Sequence, residues 1–204
     1  MHGYLSSGGV DVGYQVVRGR NQSSVLQFEQ KVLRGIVNGG YLAQDRMVGG
    51  IHPLNENGRR MAREAAAKYR NTHFDVCYSS PLQRAFETAR IVLEGRDIPI
   101  IRDERLSEMG FGDHEGMEYG PSAADSPVNV LFDHPEAYAA PGEGAETFAD
   151  LFARTGAFLE EVALPLHRQG KSVLIAGHIA MNSSIICRLR NIPLTRFWSA
   201  GTDN

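Results

Sequence analysis

FDVCYSSPLQRAFETA, residues 74–89, tells more about the fold than any other stretch of this 204-residue chain. Phe74, Val76, Cys77 and Tyr78 make a short apolar run of strand length, and Ser79-Ser80-Pro81 follows at once. Leu82, Ala85, Phe86 and Ala89 then recur at helical spacing, so the period switches from strand to helix within three residues. Ser80 stands where an N-cap belongs and Pro81 where the first helical residue belongs, which predicts a helix over 81–93. Arg84 falls in its first turn, beside unsatisfied N–H groups and the positive end of the helix dipole. A guanidinium in that place favours an anion, phosphate above all. On this fragment alone, a surface arginine after an ordinary strand-to-helix turn is the commoner explanation.

Helices and strands alternate on both sides of this unit. Residues 57–69 have Met61, Ala65 and Ala66 spaced for an apolar helix face, with Asn55 or Asn57 as cap. Ile98-Pro99-Ile100-Ile101 is a second extended run, whose proline suits a sheet edge or a strand start. Residues 117–142 lack a clear period and are rich in Pro, Ser and Gly, so an inserted loop with one short helix near 128–132 is expected. Residues 145–164 form a long amphipathic pattern with Phe148, Leu151, Phe152, Phe158, Leu159 and Val162 on the buried side. Residues 172–176 are continuously apolar, as in a parallel strand covered on both faces, and 180–190 is a last helix. The alternation implies βαβ crossovers and a three-layer α/β/α sandwich with a mostly parallel sheet. Residues 1–40 differ, with Gly-Gly at 8–9 and 39–40 and strand candidates only at 13–17 and 31–34. The chain thus divides into an atypical N-terminal segment, 1–40, and an α/β domain, 41–204, that holds the 117–142 insertion.

Composition narrows the class. A net charge of −3 with no basic run gives no reason to expect a nucleic-acid partner. No apolar run reaches membrane-spanning length, and the N-terminus lacks a charged-then-apolar leader. Cys77 and Cys187 lie far apart without metal-ligand spacing, which suits buried thiols in a reducing compartment. The expectation from composition is a cytoplasmic, soluble α/β protein.

In doubly wound sheets, ligands bind beyond the carboxyl ends of the strands. The 172–176 strand ends in Gly177-His178, so His178 takes a ligand-facing position near a helix N-terminus, where Gly177 lets the backbone approach an anion. A histidine that merely satisfies a loop hydrogen bond is the plainer alternative. Arg84 also follows a strand end, so both side chains are expected to face one pocket. LSEMGFGDHEG, residues 106–116, places glycines and acids around Phe111 and reads as a tight loop. A carboxylic acid beside a phosphate can protonate a leaving oxygen if burial raises its pKa, which makes Glu108 the candidate, with Glu115 behind it. Solvated loop acids are the commoner case.

PLNENG from Pro53, SSPLQRA from Ser79, LSEMGFGDHEG from Leu106, residues 142–146 and Gly177-His178 occur in one order with sensible spacing. Together they resemble the histidine phosphatase superfamily, the phosphoglycerate-mutase-like group, over residues 46–204. The resemblance implies hydrolysis of a phosphoric monoester on a small molecule without a metal or other cofactor. A nucleophilic histidine attacks phosphorus, and water resolves the phosphohistidine, or a second hydroxyl does so in mutases. By position, Arg84 matches a phosphate-clamping arginine, His178 the second histidine and Glu108 the proton donor. Arg46 or Arg34 would add a phosphate contact. Phosphatase is favoured over mutase, because 117–142 carries no clear bisphosphate signature.

The chain also departs from the family. The nucleophile belongs to an Arg-His-Gly motif ending the first strand, which spacing back from Pro53-Leu54 places near 33–38. The sequence there is Leu33-Arg34-Gly35-Ile36-Val37-Asn38, with no histidine. His2-Gly3 has no strand before it, His52 sits at an ordinary loop position, and Ile179 stands where the family commonly has glycine. Three readings stay open: a relative that only binds phosphorylated ligands, a chain altered at its ends from an active phosphatase, or an unexpected histidine as nucleophile.

Overall fold

The computed structural model describes residues 53–140 and 142–200, together with the backbone of a strand at 36–38. Arg34, Arg46, His2, His52 and the strand candidates at 13–17 and 31–34 lie outside the described residues. Among the described residues, strands β1 (Ile36–Asn38), β2 (Val76–Ser79), β3 (Ile100–Arg102) and β4 (Val173–Gly177) form one sheet in the order β1-β4-β2-β3. Every pairing is parallel.

β4 is buried along its whole length, as its unbroken apolar run requires. Its alternate residues feed two cores, because successive side chains of a strand point to opposite faces. Leu174 and Ala176 join Cys77, Phe74, Ala89 and Val92 under α1 (Glu56–Lys68) and α2 (Gln83–Val92). Val173 and Ile175 join Leu151, Phe158, Met181 and Ile185 under α4 (Phe148–Phe158) and α6 (Ile179–Arg190). Two helix layers on one parallel sheet make the expected sandwich.

Local chemistry moves several boundaries. The run at 74–78 enters the ladder only at Val76, because the Asp75 carboxylate accepts the N–H of Ser172 at 2.7 Å while Asp75 N–H donates to Ser172 O at 2.8 Å. Phe74 instead packs edge-on against Tyr69 at 6.0 Å. Among the described residues β3 is the edge strand beside β2, and Pro99 precedes it with its carbonyl taken by Cys77 N–H at 2.9 Å. Asn55 caps α1, its side chain accepting from Gly58 N–H at 2.8 Å. The buried side of α1 runs through Gly58 and Ala62, with Met61 only half-buried.

The long amphipathic helix begins at Phe148 rather than at 145, because Thr147 and Asp150 close a reciprocal capping box ahead of it. It also continues past 164. A π turn, Leu159–Ala163, leads into α5 (Leu164–Arg168), which contains Pro165. Pro165 has no N–H for the carbonyl one turn back and its ring needs room there, and a π turn supplies that wider turn. In the 117–142 stretch, α3 (Val130–Asp133) lies between two 3-10 turns. Asn129 knits it together by accepting from Gly120 N–H at 2.7 Å and donating to Ala123 O at 2.9 Å. Val128, Leu131 and Tyr138 plug it into the core. No helix among the described residues is long and apolar enough to cross a membrane.

Candidate active site

β2 and β4 are neighbours in register, Ser79 opposite Ala176, and both chains leave the sheet on the same side. Ser80 N–H still bonds Ala176 O at 2.9 Å, so Ser80 and His178 emerge together. Their side chains meet, with His178 Nε2 2.8 Å from Ser80 Oγ. Ser80 Oγ also accepts Leu82 N–H at 3.2 Å, which suits its own proton pointing at Nε2 and the ring proton resting on Nδ1.

This corrects the capping expectation. α2 starts at Gln83 with Leu82 as its cap residue, and no side chain caps it. Ser80 lies two residues too early because its hydroxyl serves the histidine and the turn. Arg84 nonetheless falls in the first turn and is only 2 % exposed, so it is no ordinary surface arginine. Burial lowers its pKa and the carboxylates of Glu108 and Glu115 raise it again, leaving it a cation at any ordinary pH.

Glu108 reaches the same place from a loop. One carboxylate oxygen accepts Met181 N–H at 3.1 Å and Met109 N–H at 2.9 Å, and the other accepts Ala180 N–H at 3.4 Å. It therefore occupies the N-terminal amides of α6, the groups that Gly177-His178 was expected to offer an anion. At Gly177 a Cβ would meet the ends of the Met181 and Asn182 side chains, which pack close to the backbone there. Burial raises the pKa of Glu108, while the main-chain donors and Arg84 pull it down less strongly. His178 shifts the other way: burial first, then the positive charges of Arg84 and Arg154, hold its imidazole well below the usual value and keep it neutral.

Arg84, Ser80, His178 and Glu108 thus share one electrostatic neighbourhood beyond the carboxyl ends of β2 and β4. The family profile of the histidine phosphatase superfamily (branch 1) matches residues 44–204. The chain belongs to the histidine phosphatase superfamily. It is 30% identical over 151 residues to phosphoserine phosphatase 1 of Hydrogenobacter thermophilus, covering 74% of this chain and 71% of that protein. A 2,3-bisphosphoglycerate-dependent phosphoglycerate mutase of Parvibaculum lavamentivorans is 36% identical over 141 residues, 67% of either chain. Bacillus stearothermophilus YhfR superposes with a TM-score of 0.69 at 32% identity, over 80% of this chain and 82% of its own.

Two of the motifs behind the superfamily resemblance touch one another. Phe111 pairs with Ala145 in an antiparallel bridge, and Asp113 N–H donates to Glu143 O at 3.1 Å. Gly112 makes the approach possible, with φ +56° and no room for a Cβ against Glu143 O and Ala145 N. Glu115 is exposed and accepts Phe111 N–H at 3.3 Å, so it braces the loop. Sequence reasoning missed Ser80 as the partner of His178; the signal lay in two adjacent parallel strands ending in Ser-Ser and Gly-His. It also gave Arg154 and Glu146 no role.

Proposed function

We propose that this chain is a phosphoric monoester hydrolase of small phosphorylated molecules, in which Arg84 and His178 hold the phosphoryl group and Glu108 serves the leaving oxygen. The observation that carries this reading is the convergence beyond the carboxyl ends of β2 and β4 of buried Arg84, of His178 on Ser80 Oγ, and of Glu108 on the Ala180 and Met181 amides. A carboxyl held toward its protonated form and an imidazole held neutral stand beside one buried guanidinium. In the superfamily's route a histidine nitrogen first bonds phosphorus, the P–O ester bond breaks, and the leaving oxygen takes the Glu108 proton. Among the described residues His178 is the histidine beside Arg84, and the sequence holds no Arg-His-Gly motif to supply a second, attacking ring. In the second step water attacks the phosphohistidine and Glu108 takes its proton back, which releases phosphate. Arg84 meets the charge on the equatorial oxygens throughout. Two buried free thiols, Cys77 and Cys187, support a cytoplasmic setting.

A second reading is a phosphate-binding protein without turnover, and the register of β1 favours it. Asn38 is the β1 residue paired with Gly177, next to His178, and residues 33–38 contain no histidine. Hydrolysis of p-nitrophenyl phosphate, compared with an Arg84→Ala variant, separates the two. Turnover lost by at least about a hundredfold in the variant supports the hydrolase. No turnover, with thermal stabilisation by phosphate or vanadate that Arg84→Ala abolishes, supports the binding protein. A parent protein that shows no turnover and no stabilisation by phosphate or vanadate overturns both readings.

A further inference from the structure

The Gly142–Glu146 motif has no part in the chemistry above, yet its last residue joins an arginine that spends two donors on it and the other three on the loop carrying Glu108. Arg154 lies in α4, and a guanidinium has five N–H groups. Nε and one Nη2 proton go to the two oxygens of Glu146, at 2.5 and 2.8 Å. Nη1 donates to the carbonyls of Arg105 and Ser107, at 2.7 and 2.8 Å, and Nη2 to that of Glu108, at 3.2 Å. Glu146 holds the same loop further along. Its carboxylate accepts Gly110 N–H at 3.3 Å, and its own N–H donates to Gly110 O at 2.8 Å. Glu108 is therefore gripped on both sides through main-chain groups, while its side chain points away to the amides of Ala180 and Met181.

We propose that Arg154 and Glu146 are the positioning pair for Glu108, setting its carboxyl on the α6 amides beside Arg84 by clamping the main chain of residues 105–110. The catalytic sense of the clamp rests on the reading of Glu108 as proton donor; the clamp itself does not. A loop carries a carboxyl to one place only if its backbone is held, and a planar fork reaches three carbonyls and a carboxylate together where an ammonium cannot. A lysine at 154 therefore cannot replace the arginine, although it keeps the charge.

The test follows the Glu108 carboxyl by NMR, using side-chain carboxyl-labelled glutamate, in the parent protein and in Arg154→Lys, Arg154→Gln and Glu146→Gln. Amide exchange at Ala180 and Met181 is read in the same samples, and circular dichroism establishes that each variant is folded. The expected result is a Glu108 titration moved toward an ordinary carboxylate in both Arg154 variants, with exchange at the Met181 amide about tenfold faster or more. Glu146→Gln, which keeps the shape, moves both in the same direction but less. A folded Arg154→Gln protein with unchanged Glu108 titration and unchanged Ala180 and Met181 exchange overturns the proposal; if that variant does not fold, Arg154→Lys decides by the same readout. Where the parent turns over p-nitrophenyl phosphate, kcat falls about tenfold while KM stays within about twofold. If Glu108→Gln leaves turnover intact while the NMR shifts occur, the proton-donor reading fails and the clamp stands.

Discussion

At the scale of single residues, His178 is the most consequential, because its surroundings were built against its charge. Its neighbours are cationic, Arg84 and Arg154, and Ser80 takes its Nε2 without supplying negative charge. A histidine whose folded pKa is depressed makes stability depend on pH in one direction. Below the ordinary value of about 6.5 the unfolded chain takes up a proton that the folded chain refuses, so stability falls as pH falls through that range. Glu108 has the opposite sign: its raised pKa lets the folded state hold a proton in the window above the usual carboxylate value, which favours folding as pH falls there. The two are separated by comparing the parent with His178→Asn in urea unfolding at several pH values. The stability of the parent relative to the variant should decline as pH drops below about 6.5 and level off above it. A difference that does not vary with pH would mean that His178 titrates normally. The residue types at this site were legible in the sequence. Their partners were not, since Ser80 to His178 and Glu108 to Met181 are contacts across large sequence separations.

At the scale of elements, the helices followed their periodicity, the cap expected at Ser80 did not form, and the other deviations have named causes. Asp75 shortens β2, Thr147 with Asp150 delays α4, and Pro165 is accommodated by a π turn. The loop at 106–116 is the element on which the site depends, and Gly112 is its hinge against residues 143–145. Gly112→Ala demands a left-handed residue at φ +56° and a Cβ where backbone atoms of Glu143 and Ala145 already stand. Backbone cannot rotate away as a side chain can. The expected loss is about 2–4 kcal/mol in chemical denaturation, with the Glu108 carboxyl displaced. A loss within experimental error would show that the two loops are not in contact in solution. Nothing in the spacing of glycines along LSEMGFGDHEG told which of them faced a neighbour, because that depends on a segment thirty residues away.

At the scale of the whole molecule, β4 organises everything: its odd residues feed one core, its even residues the other, and its carboxyl end delivers His178. Phe158, at the end of α4, is fully buried and edge-on to Tyr78 of the sheet at 5.4 Å. Phe158→Ala should therefore cost about 3–5 kcal/mol of unfolding free energy, measured by denaturant titration, through lost transfer energy and the cavity left behind. A cost below about 1 kcal/mol would mean that the layers relax into the space, which close packing argues against. The sequence by itself determined the class of fold, the order of helices and strands from about residue 55 onward, the mostly parallel sheet and the residue types of the site, because periodicity, caps and strand composition act over a few neighbouring residues. Only the tertiary structure decided that the α6 amides belong to Glu108, that Ser80 serves His178, and that Arg154 and Glu146 hold the loop between them. Those outcomes depend on which distant groups arrive at the same buried point, where each donor and acceptor must find a partner.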